Sequence, residues 1–218
     1  MFHRLLLAHL VADFVLQNRW LVRRKHTPGG LATHAAVVAL AMFPVGWGDL
    51  ATWWPGLLFI TVAHAAIDWA KIRLTPYLRL PPILPFLVDQ VAHLLTIAAV
   101  AALVEGGQGL AGPQVEPGWW IASIYLIATF ALSIALPLWL DPASLMRRPP
   151  AARLLLIVAS ALVLTLAWSG YPLWIPVAGL AFYQLAARRQ SRNPASPTFA
   201  VEFWTAMLVA ASLGWLLA

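Results

Sequence analysis

The chain has 218 residues, 61% of them hydrophobic and only 10% charged, with a mean hydropathy of +0.79. Those values exclude a soluble globular domain and predict an all-α integral membrane protein. Lys and Arg number 14 against 8 Asp and Glu, a formal charge of +6, but the basic residues fall in short clusters between apolar stretches, which argues against a nucleic-acid-binding face and makes them topology signals.

In chain order, apolar stretches near residues 1–18, 31–46, 55–73, 82–104, 119–140, 152–169, 171–187 and 200–218 are each close to the ~20 residues that cross a bilayer. They predict a polytopic bundle of about eight spans. The first stretch contains His9, Asp13 and Gln17 where a signal-peptide core would be uninterrupted, so it is expected to stay in the mature protein. Breakers punctuate the loops at Thr27-Pro28-Gly29-Gly30, Pro81-Pro82, Gly106-Gly107, Asn193-Pro194 and Pro197. Trp53, Trp54, Trp119 and Trp120 fall at span ends and read as interfacial anchors.

Basic residues alternate from loop to loop. Arg19, Arg23, Arg24 and Lys25 lie in the first, Lys71, Arg73 and Arg79 in the third, Arg147, Arg148 and Arg153 in the fifth, and Arg188, Arg189 and Arg192 in the seventh, with none in the even loops. Because Lys and Arg are retained in the cytoplasm, odd loops are expected inside and both termini outside. The expected location is the bacterial inner membrane.

The chemistry lies in the first half. All six histidines precede residue 94, and the chain has no cysteine. Disulfides, thiolate zinc sites, iron–sulfur clusters and a cysteine nucleophile are therefore excluded, and any metal must use His, Asp or Glu. His9-x-x-x-Asp13-x-x-x-Gln17, His64-x-x-x-Asp68-x-x-Lys71 and Asp89-Gln90-x-x-His93 each pair an imidazole with a carboxylate four residues away, on one helical face. Chance would supply only about 0.3 such pairs in a chain of this composition. The third pair is inverted on a helix that runs the other way, so in all three the histidine is deeper and the aspartate nearer the cytoplasm. At ~1.5 Å per residue the aspartates lie roughly 8–10 Å from the helix ends, the histidines roughly 14–17 Å, and His34 at about 5 Å.

Ionisable groups at such depth are costly unless they face a shared interior. His9, Asp13, His34, His64, Asp68, Asp89 and His93 thus form a candidate ligand pool for one or two divalent ions, with zinc as the expected metal. Asp13, Asp68 or Asp89 is a candidate general base, and Gln17 and Gln90 are candidate neighbours that orient ligands or substrate. Lys71 reads either as a phosphate holder or as a lysine snorkelling to the headgroups. Lys25, Arg23 and Arg24 read as topological charges, with attraction of anionic lipid as the functional alternative. His3 and His26 are expected to be solvated, and Glu202 is expected at a boundary. The same cluster would also serve a proton or cation pathway, or a closed structural metal.

These motifs, taken in order with the basic loop and His34, resemble the bacterial membrane proteins grouped as domain-of-unknown-function family 3307, over about the first 105 residues. That resemblance brings no established activity. The paired residues His9/Asp13, His64/Asp68 and Asp89/His93 are also similar, more weakly, to the helical zinc-dependent phospholipase C and nuclease superfamily and its membrane-embedded relatives. This likeness implies phosphoester hydrolysis. The further His-x-x-x-Glu pair and the N-terminal tryptophan ligand of that superfamily have no counterpart here.

The expectation is a four-helix metal-site bundle over residues 1–105 and a second membrane bundle over 106–218. Its expected function is metal-dependent hydrolysis of a lipid or other membrane-associated phosphoester at the cytoplasmic side. The alternative is a cation- or proton-coupled transporter using the same residues. Membrane lipids and a lipid or small-molecule substrate are the expected partners, and nucleic acid is not.

Overall fold

A computed structural model of the chain describes residues 1–106, 117–143, 150–171 and 197–218. The described residues are helical, with no strand among them. They form two compact units, Met1–Ser123 and Ile124–Ala218.

In the first unit, α1 (Phe2–Leu10) runs without a break into a π-helical turn, Val11–Leu16, and stops at Gln17. The short α2 (Arg19–Arg24) starts at Asn18, whose Oδ1 accepts a hydrogen bond from the Leu21 amide at 2.9 Å. Thr27 then starts α3 (Pro28–Met42). Its hydroxyl accepts from the Gly30 amide at 3.1 Å and donates to the Arg24 carbonyl at 2.8 Å, tying the end of α2 to the beginning of α3. Gly30 is needed at this turn, because a Cβ there would overlap the Arg24 carbonyl oxygen.

A 3₁₀ segment, Phe43–Asp49, leads to α4 (Leu50–Leu78), and after a left-handed Arg79 comes α5 (Ile83–Val104). The chain reverses between α3 and α4. In one continuous helix His34 and His64 would stand about 45 Å apart, yet their Nε2 atoms are 3.0 Å apart. Four helices close a ring in which α1 packs on α3 and α5, and α4 packs on the same two.

The ring has two halves along its length. Near the start of α1, where Met1 lies 3.2 Å from Glu105 at the end of α5, the interior is apolar: Leu5, Val38, Met42, Trp53, Ile60 and Ile97 are buried there. Trp53 therefore belongs to this core and is not an interfacial anchor, whereas Trp54 and Trp120 are exposed. Gly56 lets α4 approach α5, since a Cβ would lie 2.7 Å from Val100 Cγ1. The other half is polar and holds the histidines and aspartates.

Helix α6 (Pro117–Leu126) begins in the first unit, and the second opens with its last turn, which continues through a π turn, Ile127–Ala131, into α7 (Leu132–Leu140), followed by α8 (Pro150–Trp168) and α9 (Pro197–Leu217). Small residues set the packing of α8 on α9. A Cβ on Gly214 would meet Ala167 Cβ at 2.5 Å and the Leu164 carbonyl oxygen at 2.6 Å. Ser133 Oγ accepts from Arg153 Nε at 3.1 Å. Glu202, near the start of α9, is fully buried and so packs inside the unit instead of facing outward.

Pro28–Leu78, Ile83–Val104, Pro117–Leu140, Pro150–Trp168 and Phe199–Leu217 are long and apolar enough to cross a membrane. The first of these runs is the α3–α4 hairpin. The stretch expected at 1–18 is α1 with its π turn, while the one expected at 171–187, like Arg147, Arg148, Arg188, Arg189, Arg192, Asn193 and Pro194, lies almost wholly or wholly outside the described residues. Outward-facing Leu40, Val62, Leu95, Leu103, Leu208 and Leu216 are exposed, as lipid-facing side chains are in a helical membrane protein.

Candidate metal centre

Each ring helix adds one rung per turn to a layered interior. Reading away from the apolar half, α1 presents Leu5, His9 and Asp13, α4 presents Ile60, His64 and Asp68, and α5, running the other way, presents Ile97, His93 and Asp89. On α3, His34 follows Val38 in this direction, and one turn further stands Gly30, with no side chain to offer. An apolar layer, an imidazole layer and a carboxylate layer follow one another, and all seven titratable residues of the last two are buried.

The four rings are packed together. Ring centroids are 3.9 Å apart for His64 and His93, 5.0 Å for His9 and His93, 5.1 Å for His34 and His64 and 5.5 Å for His9 and His64. His34 is therefore level with the others and not shallower. The reason is the helix start: α3 begins at Pro28, so His34 sits about 9 Å along it.

Four ligand-type atoms converge. His34 Nε2 lies 3.0 Å from His64 Nε2, 3.1 Å from Asp13 Oδ1 and 3.4 Å from Asp68 Oδ2. His64 Nε2 lies 3.3 Å from Asp13 Oδ1 and 3.4 Å from Asp68 Oδ2. Ligands held at 2.0–2.1 Å around a tetrahedral zinc ion are about 3.3 Å apart, and adjacent ligands around an octahedral ion about 3.0 Å apart. The five observed separations, 3.0–3.4 Å, are close to those values. Hydrogen bonds account for them poorly, because the two Nε2 atoms supply at most one proton each to these five contacts, one of which is between the two Nε2 atoms themselves, and the Nδ1 atoms of both rings have no partner. A cation held by these residues would relieve the contact between the two imidazole nitrogens and offset the carboxylate charge.

Two lysines face the carboxylate layer. Lys25, at the end of α2, is buried with its Nζ 2.6 Å from Asp68 Oδ2. Lys71, half-buried, places Nζ 2.7 Å from Asp89 Oδ2. Three aspartates against two lysines leave one negative charge for a protonated imidazole or a bound cation to balance, since an uncompensated buried charge costs several kcal/mol.

Gln90 joins the parts of the cluster: its Nε2 donates to Asp89 Oδ2 at 3.1 Å and to Asp13 Oδ2 at 3.5 Å, and its Oε1 is 3.4 Å from His9 Nε2. His93 Nδ1 lies 2.6 Å from the Asp89 carbonyl oxygen. A carbonyl can only accept, so the proton is on Nδ1 and the lone pair is on Nε2, which is buried and has no partner.

The structure thus brings together His9, Asp13, His34, His64, Asp68, Asp89, His93 and Gln90, with Lys71 at the edge. Three overlapping groups, His9 with Asp13 and His64, His34 with His64 and Asp68, and Asp68 with Asp89 and His93, each place one ligand atom per residue within 4.8 Å of the others. Gln17 does not join them. The π turn ends there, and its side chain makes no hydrogen bond with the cluster. His26 is exposed, as expected, but His3 is half-buried with its ring 5.2 Å from that of Trp120. Lys25 is the participant that sequence reasoning missed. Nothing in Arg23-Arg24-Lys25 marks one charge of three as the one that turns inward.

A family model described as "Protein of unknown function (DUF3307)" matches residues 1–110, the part of the chain that carries the whole cluster. No curated protein and no solved structure matches the chain, so the weaker likeness to zinc-dependent phospholipases and nucleases finds no support there.

Proposed function

The chain belongs to the DUF3307 family, and we propose that it is a metal-dependent hydrolase of the bacterial inner membrane that cleaves a phosphoester of a lipid or other membrane-associated substrate from the cytoplasmic side. One observation carries this reading: His34 Nε2, His64 Nε2, Asp13 Oδ1 and Asp68 Oδ2 stand 3.0–3.4 Å from one another in the pairs described above, the spacing of ligands around one small divalent ion. Zinc suits this nitrogen and oxygen set. Such an ion supplies a Lewis acid for a phosphoryl oxygen and a water made acidic enough to attack near neutral pH.

The chain's own residues supply the rest. Gln90 and His9 hold Asp13 in place, Asp13, Asp68 and Asp89 form the pool from which ligands and general base are drawn, and the lysine pair meets an anionic substrate. Lys25 and Lys71 are tied to Asp68 and Asp89 while these carry their full charge. A cation that neutralises the carboxylates frees both ammonium groups for phosphoryl oxygens.

In the full reading the protein has eight spans with odd loops in the cytoplasm. Its support is that the first and third basic loops reach one end of the first unit, since Lys25 contacts Asp68 and Lys71 contacts Asp89. The transporter alternative needs a polar route through the opposite half. Among the described residues that half is filled by Leu5, Met42, Ile60 and Ile97, which favours a one-sided pocket.

Elemental analysis of the purified full-length protein in detergent tests the reading, with Asp68→Ala and His93→Ala alongside. Stoichiometric metal in the wild type, lost or reduced in the variants, is expected, together with cleavage of inner-leaflet phospholipid by reconstituted protein and no metal-ion flux across the vesicles. An intact protein free of metal overturns the proposal.

A further inference from the structure

The cluster contains more ligands than one ion uses. With His34, His64, Asp13 and Asp68 committed, His9, Asp89 and His93 remain; His9 Nε2 has Gln90 Oε1 at 3.4 Å, whereas Asp89 and His93 are each only half satisfied by the protein. His93 Nε2 and Asp89 Oδ1 are both buried without a hydrogen-bond partner. The other polar atoms of these two side chains are occupied: His93 Nδ1 by the Asp89 carbonyl oxygen, Asp89 Oδ2 by Lys71 and Gln90. A bare imidazole nitrogen and a bare carboxylate oxygen in a membrane interior are costly when nothing binds them.

We propose that the protein binds two divalent ions, the second held by Asp68, Asp89 and His93, with the Asp68 carboxylate shared between the two. This rests on the metal reading above and extends it. The group His34, His64 and Asp68 and the group Asp68, Asp89 and His93 have only Asp68 in common, and a carboxylate has two oxygens with which to serve neighbouring ions. Asp68 Oδ2 is the oxygen that faces His34 and His64. The rings of His64 and His93, one from each group, have centroids 3.9 Å apart, so the two groups adjoin, as the ligand sets of paired sites do.

Charge supports the same count. Three aspartates, two lysines and two divalent ions sum to a net positive site, which an anion must complete. A phosphoester with an attacking hydroxide supplies that charge, so the substrate class and the second ion fit each other. Lys71 is bound to Asp89 without metal and is the group an incoming second ion displaces.

The test uses the full chain in lipid nanodiscs, stripped with chelator and titrated with manganese(II), read by bound metal per chain and by electron paramagnetic resonance. Wild type is expected to bind about two ions with a broadened, spin-coupled signal. Asp89→Asn and His93→Gln are expected to fall to about one ion with a resolved, uncoupled signal, and His34→Gln to lose the coupling as well. A wild type that saturates at one uncoupled ion overturns this inference and leaves the single-metal reading standing. A wild type that binds none overturns both. Because the wild-type stoichiometry and coupling suffice to decide, the test survives a variant that fails to fold.

Discussion

Replacing Lys25 by Met tests whether Asp68 is a metal ligand. The substitution keeps the length and apolar stem of a buried side chain and removes the ammonium group 2.6 Å from Asp68 Oδ2. Both partners are inaccessible to water, so solvent screening does not discount the pair, and deleting one member of a buried pair costs about 3–5 kcal/mol. In a protein of this size each kcal/mol corresponds to about 2–4 °C in Tm, so the metal-free variant is expected to melt on the order of 10 °C below wild type. A divalent ion at Asp68 supplies the missing charge. The metal-loaded variant therefore regains most of the loss, and the metal-induced rise in Tm exceeds that of wild type by a similar amount. The same thermodynamic cycle requires tighter metal binding, by roughly a hundredfold for 3 kcal/mol. Thermal unfolding in detergent with and without zinc, together with calorimetric titration, measures both quantities. Equal metal-induced shifts in the two proteins, or a metal-free variant as stable as wild type, would refute the reasoning.

Three further perturbations address the supports of the site. Gly30→Ala forces the turn between α2 and α3 open against the Arg24 carbonyl. It is expected to cost about 1–3 kcal/mol and to reproduce the enlarged metal response of Lys25→Met, read by the same melts. Gly56→Leu wedges α4 from α5 at Val100 and is expected to lower stability by at least about 1–3 kcal/mol while weakening metal retention on dialysis. Gln90→Leu strips the amide that holds Asp89, Asp13 and His9, and metal affinity is expected to drop about 10–100-fold in competition with a chromophoric chelator. Unchanged affinity would show that these bonds do not orient the ligands.

The parts of the site that are periodic were legible in the sequence. The separation of four in His9/Asp13, His64/Asp68 and Asp89/His93 is a helical repeat, and the inversion on α5 already implied two layers at common depth. His34 was legible as a member of the cluster but misplaced in depth, because its level depends on where Thr27 and Pro28 begin α3. Gln17 failed for a local reason. A π turn follows His9, and its wider repeat ends the stripe on which a regular helix would have carried Gln17. Lys25 failed because burial of one lysine among several basic neighbours is decided by tertiary packing, through the Gly30 turn, and leaves no periodic trace. Trp53 and Glu202 carry the same lesson in reverse, being residues of boundary type that packing places in the interior.

The apolar half of the first unit has a kinetic consequence. Leu5, Met42, Ile60 and Ile97 pack the interior on one side of the imidazole layer, so on the proposed reading an anionic group would meet the site at the opposite end, where Lys25 and Lys71 pair with Asp68 and Asp89. On that reading, products that keep a phosphate would compete with substrate for the same two ammonium groups. If the proposed hydrolysis takes place there, added phosphate monoester is expected to act as a competitive inhibitor.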